Sequence, residues 1–350
     1  MNDSTGSAAS PNPLVSVCVL TYNHERYIAQ CLESVLRQET SFPFEVIVRD
    51  DASTDGTPTI LEQYAKRYPE TLRLILEPRN TWGDPAYKPL FGKVFAPVAR
   101  GRYLASCEGD DYWIDDFKLQ QQFDYMEAHP TCLLCSHATE IIRDDGGSST
   151  TLLSFGNEDR DVGCDEIMEN WAQTRRDGIA SLHPSSCFTR READIAYAQN
   201  WRIDATAGDF VRVCYMTDKA PAHFFARPMS AYRYLSSQSW TSGAEDNSRV
   251  LAGHYREFIE MAYAIDNLTG YVHHDAAMRG CKQRALLLAG MTEGKGFFES
   301  EFGSQIKPYL NASDWGTLAA LRILNAFGLR PARNTATGAI SLRKLGRNSD

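Results

Sequence analysis

"GRYLASCEGDDYW", Gly101–Trp113, joins an apolar run to three acids within four positions. "RYLASC" reads as a buried strand. Glu108, Asp110 and Asp111 then stand at its carboxyl end, and Tyr112 and Trp113 follow. Like charges this close repel unless a cation joins them. Hard oxygen ligands suit Mg2+ or Mn2+, and Mg2+ usually takes one or two carboxylates and completes its shell with water and substrate phosphates. The bland alternative is a solvated acidic turn, which the apolar strand on one side and the two aromatics on the other argue against.

Working outward, the upstream chain alternates strands and helices. "LVSVCVLTY" (Leu14–Tyr22) is a β-branched strand. In the next segment Tyr27, Ile28, Cys31, Leu32, Val35 and Leu36 share one helical face, with Asn23 as the expected N-cap. "FEVIVRDDAS" is a second strand, ending on Asp50 and Asp51. "DGTPTILEQYAKRYP" is a helix opened by Thr57-Pro58, and "LRLILEP" is a third strand. This order predicts an α/β fold with βαβ units and a mostly parallel sheet, which binds ligands at the carboxyl ends of its strands. Both acidic clusters fall at such ends. Downstream, helices are expected at "DFKLQQQFDYMEAHP", "CDEIMENWAQTR" and "DFVRVCYMT". "TCLLCSHATEII" is strand-like, "SLHPSSCFTRR" extended, and "HFFARPMSAYRYL" a strand pair or strand plus turn. From about Ser248 the pattern is helical to the end.

The 350 residues allow two domains, or one large domain with a helical extension, and a formal net charge of −9 argues weakly against nucleic acid as the main partner. No apolar run approaches the roughly 18 residues of a membrane span. Residues 1–13 are small and polar, unlike a signal peptide, and read as a disordered lead-in. The nine cysteines are scattered in apolar contexts and read as reduced, buried thiols of a cytoplasmic protein. "CLLC" (Cys132–Cys135) lacks the second pair that a zinc site needs. Past residue 318 the chain holds Arg322, Arg330, Arg333, Arg343, Lys344 and Arg347 against Asp350 alone. Such an end is either a solvated tail or a contact for the inner face of an anionic membrane.

Three stretches, "VSVCVLTYNHERYIAQCLESVLRQ", "FEVIVRDDASTDGT" and "GRYLASCEGDDYWIDDFKLQQQ", together resemble the family 2 glycosyltransferases of the GT-A fold. They cover residues 14–130, and the "EGDDYW" wording is similar to bacterial enzymes of cell-surface polysaccharide synthesis. The resemblance implies a Rossmann-like, mostly parallel sheet flanked by helices. It divides the chain into a GT-A domain over 14–240, with nucleotide-sugar binding in 14–130 and the acceptor side in 131–240, and a helical region with a basic tail over 241–350. It places Thr21 and Tyr22 at nucleotide contacts, Asp51 at the nucleobase, and Asp110 and Asp111 at the DXD-type pair, with Asp110 toward ribose or metal and Asp111 toward metal. Glu108 stands where many relatives carry Asp. "ATAGDFVRV" is similar to the region of the catalytic base, with Asp209 as candidate and Asp204 as runner-up. "SAYRYLSSQSW" resembles the segment that faces the diphosphate, which points to Arg233. Trp113, by stacking on a sugar, and His183 are the acceptor-side candidates.

The expected reaction is metal-dependent inverting transfer of a sugar from a nucleotide-sugar, of the UDP class, to a hydroxyl of a glycan or lipid-linked acceptor, with Mn2+ or Mg2+ as cofactor. Three alternatives stay open: a nucleotidyltransferase, a helical prenyl-transfer protein, and a non-catalytic sugar-binding or scaffold protein on the same fold. The first usually needs a Gly-rich loop that "TYNHERY" lacks, and the second needs its acids on helices.

Overall fold

The computed structural model describes residues 12–143, 150–152, 155–174, 182–200, 203, 208–234, 248–292, 294–327, 329–333 and 340–344. Its core is a ten-stranded sheet in the order β3-β2-β1-β4-β9-β6-β10-β5. The strands are β1 (Val15–Thr21), β2 (Phe44–Asp50), β3 (Leu72–Leu76), β4 (Tyr103–Glu108), β5 (Tyr112–Trp113), β6 (Leu134–Arg143), β9 (Phe188–Arg190) and β10 (Ala222–Tyr234). β7 (Thr150–Leu152) pairs with β6, and β8 (Arg160–Val162) with β10. The first four strands are parallel, as their alternation with α1 (Ile28–Leu36) and α2 (Thr57–Arg67) requires. Val15, Val17, Val19, Val46 and Val48 are fully buried, because helices cover both faces of such a sheet.

The order within that half locates the crevice. β2 and β3 lie on one side of β1, whereas β4 lies on the other. The carboxyl ends of β1 and β4 therefore flank a topological switch point, where open α/β sheets bind their ligands. Register carries the acids there directly: Leu20 pairs with Glu108, and Thr21 with Asp50.

Beyond β4 the sheet is mixed. β9 runs antiparallel to both β4 and β6, β10 is parallel to β6, and β5 is antiparallel to β10. "HFFARPMSAYRYL" is one long strand with register shifts around Phe225, Pro228 and Ser230, not a strand pair. Pro228 has no N–H for the ladder, so a shift there follows from its chemistry. The helices of this half are α3 (Lys118–Ala128), α4 (Cys164–Thr174), α5 (Arg191–Asn200) and α6 (Gly208–Lys219).

The C-terminal region comprises α7 (Ser248–Leu268), α8 (His274–Met291), α9 (Glu301–Ile306) and α10 (Ala312–Ala326). α8 is its centre. It is buried along Ala276, Ala277, Met278, Gly280, Cys281 and beyond, and Gly280 lies against the Met168 carbonyl of α4. The helical pattern does not run to the end: Leu329–Arg333 (β11) and Ile340–Lys344 (β12) form an antiparallel pair. Pro331 and the β-branched Ile340 explain the change of habit after α10. All nine cysteines are buried free thiols, Cys132 and Cys135 included.

Candidate active site

The loop after β1 sets the rim of the crevice. Asn23 is not a helix cap: its φ is +55°, and α1 begins five residues later. Its N–H donates to Ser53 Oγ at 2.8 Å and its Oδ1 accepts from the Thr54 N–H at 2.7 Å, which ties the loops after β1 and β2 together. Asp50 closes its own turn by accepting from Ser53 N–H at 3.0 Å. Asp51 is thereby left to face the next loop. Its Oδ1 takes the Thr81 N–H at 3.0 Å, the Thr81 hydroxyl at 2.6 Å and the Arg49 guanidinium at 3.2 Å. All three converge on one oxygen, and among the described residues no donor is seen on Oδ2. Thr21 is buried; its carbonyl accepts the Asp51 N–H at 3.0 Å, and its hydroxyl meets His24 Nδ1 at 3.2 Å. Tyr22 beside it is 42% exposed at the mouth.

The acids after β4 separate into two kinds. Asp110 is half-buried, with His24 Nε2 at 3.9 Å from its Oδ2. Glu108 is also half-buried, and no donor of the described residues reaches its carboxylate. Burial, then the charges of Asp110 and Asp209, push the Glu108 carboxyl up to about 8. Asp111 is different. It is fully buried, with Oδ2 accepting from Ser185 Oγ and Oδ1 from the Arg233 N–H at 3.3 Å. Burial and the Asp110 charge hold its carboxyl well above the carboxylate range. Both its oxygens are taken by protein donors and neither meets solvent. Of the three acids, Asp110 and Glu108 are partly exposed, whereas Asp111 is enclosed by its two protein donors. The intervening Gly109 permits the close approach, since a Cβ there would stand 2.7 Å from Thr21 Cβ.

Two acceptor-side candidates also move inward. Trp113 is fully buried, with Nε1 donating to the Ser185 carbonyl at 3.0 Å and the Lys118 ammonium 4.1 Å from its ring. It cannot stack on a sugar. His183 is 6% exposed; its Nδ1 accepts the Ser185 N–H at 3.3 Å, so this ring nitrogen carries no proton, and burial pushes its pKa down to about 3. It opens the turn Pro184–Ser186, whose Ser185 Oγ also accepts the Glu108 N–H at 3.0 Å. This turn is the clasp under the acid loop. The extended reading of "SLHPSSCFTRR" missed it, although Pro184 followed by two serines carried the turn signal.

Arg233 is 8% exposed, between the rings of Tyr27 and Tyr112 at 4.9 and 4.8 Å. Its guanidinium donates to the Asp110 carbonyl at 2.7 Å and to Gln30 Oε1. It braces the acid loop from β10. Asp209 stands half-buried in the first turn of α6, where the helix dipole favours an anion, and its charge is felt at Glu108. One turn on, Arg212 grips Asp194 of α5 through two bonds of 2.6 and 2.9 Å and also reaches Thr189 of β9 at 2.8 Å. This buried pair fixes where α6 begins and so where Asp209 points. Asp204 lies outside the described residues.

Among the described residues no three His, Cys, Asp or Glu side chains gather into a closed metal cage. The donor set fits a divalent cation held by two carboxylates and substrate oxygens: Asp110 and Glu108 are hard oxygen donors two residues apart in one loop, both partly exposed, and burial together with the Asp110 charge raises the Glu108 carboxyl.

The fold is shared with solved proteins. Staphylococcus aureus TarS residues 1–349, crystallised with UDP-GlcNAc, superposes with a TM-score of 0.56 over 95% of this chain and 97% of that one, at 15% identity. By sequence, an uncharacterized protein of Mycobacterium tuberculosis (strain ATCC 25618 / H37Rv) is 40% identical over 161 residues, 46% of this chain and 45% of its own length. TuaG of Bacillus subtilis (strain 168), named for teichuronic acid biosynthesis, is 33% identical over 159 residues, 45% of this chain and 58% of its own length. The chain thus spans about half the length of the curated relatives it matches. The sequence profile described as "Glycosyl transferase family 2" matches residues 16–197, from β1 through the clasp turn and into α5, and on that match the chain belongs to glycosyl transferase family 2.

Proposed function

We propose that the protein transfers a sugar from a nucleotide-sugar donor, of the UDP class, to a hydroxyl of a glycan or lipid-linked acceptor, with inversion at C1. The observation that carries this reading is that Asp51, Glu108 and Asp110 follow the carboxyl ends of β2 and β4, on the two sides of β1 at the switch point, with the Asp209 charge acting on Glu108. Asp51 Oδ2 accepts a nucleobase N–H. Asp110 and Glu108 hold Mn2+ or Mg2+, which when bound supplies positive charge to the departing diphosphate. Asp209 takes the acceptor proton as the oxygen attacks the face of C1 opposite the leaving group. Tyr22, exposed at the mouth, contacts the nucleotide, with Thr21 setting its backbone. Arg233 and Asp111 act by holding the loop that bears Asp110.

The TarS complex with UDP-GlcNAc supports the donor class, and the naming of TuaG supports cell-surface polysaccharide as the product class. Among the described residues no helix is long and apolar enough to cross a membrane. The test is nucleotide release from a panel of UDP- and GDP-sugars with Mn2+ and candidate acceptors. Release from one donor, dependent on acceptor and abolished by EDTA, is expected. Nucleotide-sugar binding without release from any pair would favour the scaffold reading, and no binding at all would overturn both.

A further inference from the structure

α10 is built unlike the other long helices. Leu318 is its one buried residue, and Leu321 packs on Gly290 of α8. The opposite face should be polar if it met only water. Instead Gly316, Ala320, Ile323 and Phe327 follow at spacings of four, three and four residues, which is one helical face, and all are exposed. Ile323 is 60% and Phe327 76% exposed, among the highest values of any large apolar residue described.

Charge is segregated at the same place. The chain carries a formal net charge of −9, yet from Trp315 to Ser349 it holds six basic residues and no acid. One of them, Arg322, is on α10, where it donates to the Thr292 carbonyl. Four more, Arg330, Arg333, Arg343 and Lys344, fall on the β11–β12 pair directly after it. An apolar helical stripe followed directly in the chain by a run of basic residues without acids is the pattern of an interfacial element on anionic lipid. A second copy of the chain fits less well, because two-fold pairing of these faces sets one basic cluster against another.

We infer that α10 and the β11–β12 pair form a docking surface for an anionic lipid bilayer, with Ile323 and Phe327 entering the headgroup region. The inference is independent of the transfer reaction. It is tested with the full chain by co-sedimentation on phosphatidylcholine vesicles with and without about one third phosphatidylglycerol, together with light scattering in solution. The protein should pellet with the anionic vesicles, not with the neutral ones, and less in high salt. Phe327→Glu should weaken binding about tenfold or more, because it places a charge where an apolar ring enters lipid. Val272→Glu, at a 74% exposed apolar site at the start of α8, should leave it unchanged. Circular dichroism of both variants should match the parent. Absence of pelleting, equal pelleting of parent and Phe327→Glu, or a dimer that Phe327→Glu disperses would overturn the inference; the last result would give the surface to a second copy.

Discussion

The parallel half, β1 to β4, and the mixed half, β6 to α6, present their acids by different means. In the first half Asp50, Glu108 and Asp110 stand at strand ends and are steered by near neighbours, Asp50 by Ser53 and the other two by the tightness of Gly109, whereas Asp51 and Asp111 are held by Thr81 and by Ser185 and the Arg233 N–H. In the second half Asp209 sits one turn before a buried pair, Arg212 with Asp194, which joins α6 to α5 and β9. Local chemistry steers the partly exposed acids after β4, and long-range packing sets Asp209. The two halves should therefore fail differently when altered.

The largest effect should come from the reacting groups. Asp209→Asn and Asp110→Ala should each lower turnover by about a hundredfold or more with unchanged circular dichroism, given the usual worth of a general base of about 10²–10⁴. Near-parental kcat of either variant removes that residue from the chemistry. Next comes the buried pair. Arg212→Met leaves Asp194 buried without its partner and should cost about 3–5 kcal/mol in urea unfolding. A second change, Asp194→Asn, should restore part of it, and no restoration would mean that the two side chains are not coupled. Ser185→Ala breaks two bonds under the acid loop and should cost about 1–3 kcal/mol. It should also raise the Mn2+ concentration for half-maximal activity while kcat at saturating metal changes little. An unchanged metal requirement would leave the clasp structural only. The smallest effect is expected of Trp113→Phe, which loses one hydrogen bond to Ser185: about 1 kcal/mol of stability and no change in acceptor KM. A raised acceptor KM would return Trp113 to the acceptor wall.

This contrast also explains what the sequence made legible. The strands, their order and the strand-end acids followed from apolar runs and punctuation within short windows, so β1, β2, β3 and β4 lie where expected. Periodicity could not tell which member of an acidic triplet faces in. Asp111 turns inward because Ser185, 74 residues away, and the Arg233 N–H, 122 residues away, supply its donors. Trp113 beside a strand end was ambiguous for the same reason: the Ser185 carbonyl that claims its indole is distant in sequence. The π-turn and short helical stretches over 85–98, the clasp turn and the closing β11–β12 pair have turn and proline signals, but their roles depend on contacts that no short window contains.

The burial of Asp111 has a practical corollary. An Asp111→Ala enzyme should be nearly inactive and should bind metal poorly, since the loop bearing Asp110 loses its anchor to both β10 and the clasp. In an alanine scan it would be indistinguishable from a true ligand. Asp111→Asn, whose amide oxygen can still accept the Arg233 N–H while its NH2 donates to Ser185 Oγ, keeps both contacts without the charge and so separates a residue that holds the cation from one that holds the holder.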